Sequence, residues 1–109
     1  MLDIIYLPAA DKWLSSLPKA AKIRIIDDIE TLAEYGLPFA GNYISISKAD
    51  PKENVLYIRT RHNKEAYRTF FAIENGVIIL HGIDKKTQKL PPNEIKTAVH
   101  RLKDFKARK

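Results

Sequence analysis

The sequence contains no cysteine among its 109 residues, and this absence excludes several kinds of chemistry. Without a thiol, the chain has neither a disulfide framework nor a thiolate nucleophile, which is typical of proteins that work in a reducing cytoplasm. Zinc sites usually combine histidine with cysteine, whereas the three histidines of this chain, His62, His81 and His100, are scattered along the sequence. We therefore expect neither a metal ion nor another cofactor.

Long apolar segments are missing as well. No run approaches the roughly 20 apolar residues that a membrane-spanning helix needs, and the first residues lack the basic and then apolar pattern of a secretory signal. These features predict a cytoplasmic protein with no membrane partner. The length fits one domain over residues 1–109, and a content of 45% hydrophobic and 29% charged residues is typical of a globular protein.

Acidic residues are scarce in the C-terminal half, so the charge of the chain is uneven. Residues 1–54 contain six lysines and arginines against eight acidic residues, a net charge of −2, whereas residues 55–109 contain thirteen against five, a net charge of +8. A basic half of this kind favours a polyanionic partner, most often a nucleic acid. A well-solvated basic surface without such a partner is the alternative.

Hydrophobic periodicity predicts an α+β fold in the order β-α-α-β-β-β-α. The predicted strands lie at residues 2–7, 55–61, 66–73 and 76–83, and the predicted helices at residues 8–17, at residues 19–35 and from residue 91 onward. The connector over residues 36–54 has room for one more short strand at residues 43–46. We expect the N-terminal strand and helical hairpin to pack on a mainly antiparallel sheet, with Trp13, Phe39 and Phe105 in the core.

Arginines in the middle of two predicted strands are the most informative polar residues. Side chains alternate along a strand, so Tyr57, Arg59 and Arg61 share one face, and Arg68 points away from the neighbouring Tyr67. One helical layer covers only one face of such a sheet, which predicts an open and cationic second face. The alternative is that these arginines pair with carboxylates of the helices, because a buried guanidinium without a partner is costly.

Two further features lie at the end of the strand predicted at residues 76–83, an apolar run that is typical of a central strand. The polar loop that follows this strand, Asp84-Lys85-Lys86-Thr87-Gln88-Lys89, extends the basic surface, although a lysine run taken alone is also compatible with a solvated loop. His81 has the chemistry of a general base. The alternative for His81 is a structural role, in which it caps the strand through one ring hydrogen bond.

These segments together resemble a known protein family. The sequences LYIR at residues 56–59, YRTFF at residues 67–71 and ILHGIDKKTQK at residues 79–89, with the helix over residues 91–101, are similar to the phage-derived "addiction module killer protein" branch of the RelE/HigB toxin superfamily. The similarity is close over about residues 55–103, and the helical hairpin matches more loosely. Its most specific element is the Lys-Lys-Thr-Gln-Lys loop.

The resemblance implies a type II toxin, an endoribonuclease that cleaves mRNA, commonly on the ribosome, and that a helix-turn-helix antitoxin holds silent. The 2′-hydroxyl of the RNA would attack the adjacent phosphate, so the protein must align the strand and stabilise charge. The catalytic candidates are Arg59, Arg68, Lys85, Lys86 and His81. The candidates for RNA binding, among which tyrosine is suited to stacking on a base, are Tyr57, Arg61, Lys64, Tyr67, Lys89 and Arg101.

Two other functions would use the same residues. One is a non-catalytic RNA- or ribosome-binding module that a helix-turn-helix partner neutralises. The other is a regulatory member that only binds such a partner. Arginines and aromatic rings serve an RNA-binding module as well as they serve a nuclease, so the sequence leaves this choice open.

Overall fold

Over the residues that the structure describes, the chain forms three α-helices, one short 3-10 turn and one five-stranded sheet. The computed structural model describes residues 1–85 and 89–108, and of Lys85 it describes the backbone only. The elements in chain order are β1 (Ile4–Tyr6), α1 (Pro8–Ser15), α2 (Lys19–Tyr35), a 3-10 turn (Phe39–Asn42), β2 (Ser45–Asp50), β3 (Val55–His62), β4 (Glu65–Ile73), β5 (Val77–Lys85) and α3 (Pro92–Ala107). The predicted α+β class, with a helical hairpin after the first strand and a helix near the C-terminus, is confirmed.

The strand order of the sheet is β1-β5-β4-β3-β2. β1 runs parallel to β5, and all other neighbouring strands are antiparallel. The optional strand in the connector is present as β2, but it spans Ser45–Asp50 rather than residues 43–46. The sheet therefore has one strand more than the predicted order β-α-α-β-β-β-α, and this strand forms its edge.

Asparagines close both hairpins that join β3, β4 and β5. Asn63 in the first turn and Asn75 in the second each have a φ of 57°. Asparagine tolerates this left-handed region better than most residues with a Cβ atom, and Gly76 beside Asn75 adopts a φ of 153°. Asn75-Gly76 is a residue pair typical of tight hairpin turns, and it forms the turn between the strands predicted at residues 66–73 and 76–83. Both turns fix the register between the strands that carry the site.

Helices α1 and α2 cover one face of the sheet. Leu14, Ile25 and Ile29 of these helices form a core with Ile58 and Phe71 of the strands. The residues of α2 in this core recur at helical spacing, the periodicity that predicts a helix over residues 19–35. This core holds the hairpin on the sheet and leaves the acidic side of α2 exposed.

Trp13 of α1 lies directly against the backbone of β5 at Gly82. A Cβ atom at Gly82 would stand 2.0 Å from Cε3 of the Trp13 ring, so a side chain at this position would require the ring or its helix to move. The missing side chain of Gly82 therefore makes the close approach of α1 and β5 possible.

Helix α3 packs on the opposite face of the sheet, and the prediction of an open second face is wrong to that extent. Ala98 and Leu102 of α3 form a second core with Phe70, Ile78 and Leu80. The physical reason lies in β5, because a continuous apolar run directs apolar side chains to both faces, and both need cover. We call this side of the sheet the α3 face.

Of the three aromatic residues expected in the core, two are packed there and one is not. Trp13 and Phe105 are partly buried against the first and the second core, respectively. Phe39, at the start of the 3-10 turn, is 65% exposed. The prediction for Phe39 is wrong, because its short turn buries Ala40 beside it instead.

Candidate nucleic-acid interface

The register of β3, β4 and β5 gathers most of the predicted site residues in three rows. Residues paired across neighbouring strands belong to the same face, so each set of paired residues forms a row across the sheet. The inner row is Tyr57–Phe70–His81, the middle row is Arg59–Arg68–Ile83 and the outer row is Arg61–Ala66–Lys85. Successive rows are two residues apart along each strand, or roughly 7 Å, and the position of Lys85 in its row is that of its backbone.

Two arginines stand directly opposite each other in the middle row. Like charges in this arrangement repel, and burial raises the cost of each guanidinium. Arg59 is half-buried, and its solvent-inaccessible Nε has no hydrogen-bond partner among the described residues. Arg68 is 2% exposed, and its Cζ lies 6.0 Å from the centroid of the Tyr57 ring. The middle row therefore places two guanidinium groups on neighbouring strands, one of them half-buried and the other buried.

The burial of Arg68 corrects one expectation from the sequence. Alternation predicts that its side chain projects from an open face; the face is correct, but the side chain is buried within it. The alternative of neutralisation by helix carboxylates is not supported for the other two arginines, since neither Arg59 nor Arg61 belongs to an ion pair of residues 1–85 and 89–108. The carboxylate of Asp28 in α2 instead accepts a hydrogen bond from Thr60, over 2.6 Å.

Exposed cations lie at the outer end of the rows. Arg61 in the outer row and Lys64 in the turn between β3 and β4 are both exposed, and so is Lys89 between β5 and α3. Lys86, a predicted catalytic residue, lies outside the described residues. The structure thus places a cationic turn next to the outer row.

The two tyrosines predicted to stack on RNA bases lie on opposite faces of the sheet. Tyr57 is half-buried in the inner row, with its ring centroid 5.8 Å from that of Phe70. Tyr67 packs with the α1 and α2 core, is 4% exposed and donates a hydrogen bond to Glu65 Oε2 over 3.0 Å. Burial, and then the hydrogen bond and the charge of Glu65, raise the pKa of Tyr67. Its buried ring does not support the predicted contact with a base.

His81 connects the sheet to α3 through both of its ring nitrogens. Nε2 lies 2.5 Å from Glu94 Oε1, and Nδ1 lies 2.9 Å from Arg101 Nη1. Because an arginine can only donate, Nδ1 must accept, and the ring hydrogen on Nε2 is then donated to the Glu94 carboxylate. Arg101 also donates to the backbone carbonyl of Leu80 over 3.0 Å.

This network differs from both roles that the sequence suggested for His81. As a general base His81 would need a free lone pair, and the only one, on Nδ1, is occupied by Arg101. As a structural residue it makes two ring hydrogen bonds rather than one. Sequence reasoning missed Glu94, although Glu94 and Arg101 are two helical turns apart and therefore share one side of α3. The predicted RNA-binding residue Arg101 is held against β5 by one of its terminal nitrogens.

A cleft lies at the turn end of β3 and β4. It has a volume of about 700 Å³, opens at the turn between β3 and β4, and is lined by Pro18, His62, Asn63, Lys64, Glu65 and Tyr67.

Within the part of the chain that the structure describes, no three histidine or acidic side chains are placed to share a metal ion. In the same part, no helix has the length and apolar character needed to cross a membrane.

Comparison with known proteins assigns the chain to a family. A family model described as "Phage derived protein Gp49-like (DUF891)" matches residues 12–103, which include the end of α1, all of α2, strands β2 to β5 and most of α3. No curated protein matches the chain at a significant level. The match contains all three rows of the candidate interface. The chain therefore belongs to the Gp49-like family of phage-derived proteins, which is a toxin-like family of the RelE/HigB type.

Proposed function

We propose that this chain is the toxin of a type II toxin–antitoxin system, of the addiction module killer protein branch. Its activity would be that of an endoribonuclease that cleaves mRNA, on the ribosome, and so inhibits translation in the cytoplasm. The family is consistent with a toxin and suggests an antitoxin partner. The proposal adds the reaction, the RNA substrate and a helix-turn-helix type of antitoxin.

The observation that carries this proposal is the pair of arginines in the middle row. Arg59 and Arg68 stand opposite each other, and each raises the energetic cost of burying the other. A phosphate bound beside them would turn this repulsion into attraction, and the planar fork of arginine suits phosphate oxygens. Arg61 and Lys64 would extend the contact along the RNA backbone, and Tyr57 is the remaining aromatic side chain for a base.

The proposed reaction uses the 2′-hydroxyl of the RNA as the nucleophile. This hydroxyl loses its proton and attacks the adjacent phosphorus, and the bond from phosphorus to the 5′-oxygen of the next nucleotide breaks as that oxygen takes up a proton. The products carry a 2′,3′-cyclic phosphate and a 5′-hydroxyl. Arg59, which is half-buried, would contact the phosphorane, and the buried Arg68 would stabilise its charge from behind without direct contact. Lys85 and Lys86 would add positive charge or transfer protons.

In this proposal His81 has a positioning role. Its hydrogen bonds with Glu94 and Arg101 hold α3 against the inner row. The inner row in turn supports the arginines, because the ring of Tyr57 lies next to Arg68. His81 would therefore act on RNA through its neighbours.

One observation favours a second function, the non-catalytic RNA- or ribosome-binding module. Among the side chains that the structure describes in the three rows, none is a free general base, since Nδ1 of His81 is occupied by Arg101. Both functions predict that RNA binds to the arginines. Only the nuclease predicts that the RNA is cut.

Induced expression of the chain without a partner tests the proposed function. We expect growth arrest, reduced incorporation of amino acids and fragmented mRNA for the wild type and for the control Arg24→Ala, whose side chain is exposed on α2. Arg59→Ala should permit normal growth. Normal growth with soluble wild-type protein would contradict a toxin. Arrest with intact mRNA would favour the binding module.

A further inference from the structure

An exposed aromatic patch lies between α2 and β2. The side chains of Tyr35 (45% exposed), Leu37 (42%), Phe39 (65%) and Tyr43 (65%) form it, and we call these four residues the aromatic patch. The rings of Tyr35 and Tyr43 stack, with centroids 4.6 Å apart. Single exposed apolar side chains are normal on a protein surface, whereas clustered ones mark interaction sites. Packing of this chain alone does not explain the patch.

The backbone under the patch is ordered by hydrogen bonds. The amide of Ala40 donates to the carbonyl of Gly36, and the amides of Tyr43 and Ile44 donate to the carbonyl of Ala40. The side chain of Ala40 is fully buried and fastens the segment to the α1 and α2 core. The aromatic rings therefore stand on a fixed support, which lowers the entropic cost of binding a partner.

The acidic sequence segment that carries the patch indicates the chemistry of that partner. Residues 25–47 contain four acidic residues and no lysine, arginine or histidine, a net charge of −4, whereas the rest of the chain has a net charge of +10. A groove of about 470 Å³ beside the patch is lined by Glu34 together with apolar residues that include Tyr35, Leu37 and Ile73. Such a surface repels RNA phosphates, and both its carboxylates and its aromatic faces attract lysine and arginine.

We propose that the aromatic patch and Glu34 form a docking surface for a protein partner that presents a basic amphipathic segment. The apolar side chains of this segment would cover the rings, and its lysines or arginines would meet the carboxylates of α2. The groove reaches Ile73 at the end of β4, while Arg68 lies towards the other end of β4 and on the opposite face. The segment that carries the patch and Ile73 both pack with the α1 and α2 core, whereas the arginines of the rows lie on the α3 face, so this inference goes beyond the proposed function and does not depend on RNA cleavage.

Titration of the full chain with three labelled probes tests the inference. The probes are a synthetic amphipathic peptide of leucine and arginine, the same peptide with glutamate in place of arginine, and a single-stranded RNA. We expect the basic peptide to bind the wild type and the acidic peptide to bind at least about tenfold more weakly. The double variant Phe39→Ser/Tyr43→Ser should lose roughly tenfold or more in affinity for the basic peptide. Ile23→Ser, which removes an exposed side chain of α2 outside the patch, should not.

Binding of RNA separates this inference from the proposed function. The double variant should bind and cleave RNA like the wild type, because the arginines lie on the α3 face. Unchanged affinity for the basic peptide in the double variant would overturn the inference, and a selective loss of RNA affinity would instead identify a platform for bases. Glu34→Lys, at an exposed position, should weaken the binding of the basic peptide even when the aromatic rings are intact. Inability of the wild type to cleave RNA would count against the proposed function alone.

Discussion

Thr60 of β3 and Asp28 of α2 form a polar contact on the face of the sheet that α1 and α2 cover, opposite the α3 face with the arginines. The Thr60 hydroxyl donates to Asp28 Oδ2 over 2.6 Å. Burial raises the pKa of Asp28 above its ordinary value of 3.8, and the hydrogen bond from Thr60 and the charge of Arg24 offset only part of this rise. An acid whose pKa is higher in the folded state holds its proton more tightly there than in the unfolded chain. The folded state therefore loses stability as the pH rises from 3.8 through the folded pKa.

Asp28→Asn should raise the free energy of unfolding at neutral pH. Asparagine keeps an oxygen that can accept from Thr60, and it avoids the buried charge. The gain should be smallest below pH 3.8, where Asp28 is protonated in both states, and should grow as the pH rises. Urea unfolding of both proteins at several pH values measures it. A loss of stability at neutral pH, or a gain that does not change with pH, would contradict burial as the cause.

The degree of burial of individual side chains could not be predicted from this sequence. Alternation along the strands put Arg68 and Tyr67 on the correct opposite faces. It did not show that both are almost fully buried, because burial depends on which helix covers each face. The prediction for Phe39 was wrong in the opposite direction. Its apolar character predicts a core position, whereas the short turn directs the neighbouring Ala40 into the core and leaves Phe39 exposed.

At the scale of elements, α1 is placed by one glycine. Gly82→Ala should lower the free energy of unfolding by about 1–3 kcal/mol, because the added methyl group overlaps the Trp13 ring and an overpacked site must shift. Gly41→Ala is the matched control, since no heavy atom lies within 4 Å of its ideal Cβ. Thermal unfolding of the two variants and of the wild type measures the difference in stability. Equal stability would mean that α1 does not depend on this approach.

The same scale contains the polar connection between β5 and α3. His81→Ala removes the acceptor of Arg101 and the donor to Glu94, and loss of these bonds should cost about 1–3 kcal/mol. We expect faster hydrogen exchange at the amides of α3, with little change in α2. His100→Ala, at an exposed position of the same helix, should leave exchange unaltered. Unchanged protection of α3 in His81→Ala would show that its apolar stripe alone holds the helix.

The elements themselves were largely predictable, and their mutual placement was not. Periodicity indicated the helices and four of the strands, and Asn75-Gly76 indicated a turn that is present. The position of α3 was missed, although the apolar run of β5 already required cover on both faces. The contact of Glu94 was also not predicted, because acidic residues are common in the first turn of a helix. Only the packing of α3 on β5 shows that Glu94 lies next to His81.

At the scale of the whole molecule, charge separates two surfaces. The middle and outer rows concentrate arginines on the α3 face, whereas the segment of residues 25–47, which includes the aromatic patch, contains four acidic residues and no basic one. RNA and a basic protein segment would therefore be drawn to different places on the chain.

Cleavage of a defined mRNA by the purified chain, with and without ribosomes, tests this account most directly. Arg59→Met keeps a long apolar side chain and relieves the repulsion with Arg68, so its free energy of unfolding should equal or slightly exceed that of the wild type. Its cleavage rate should fall by about 10²–10³-fold, or roughly 3–4 kcal/mol of transition-state stabilisation. Wild-type products should carry 2′,3′-cyclic phosphate and 5′-hydroxyl ends. Full activity in a folded Arg59→Met protein, or 5′-phosphate ends in the wild type, would contradict the account.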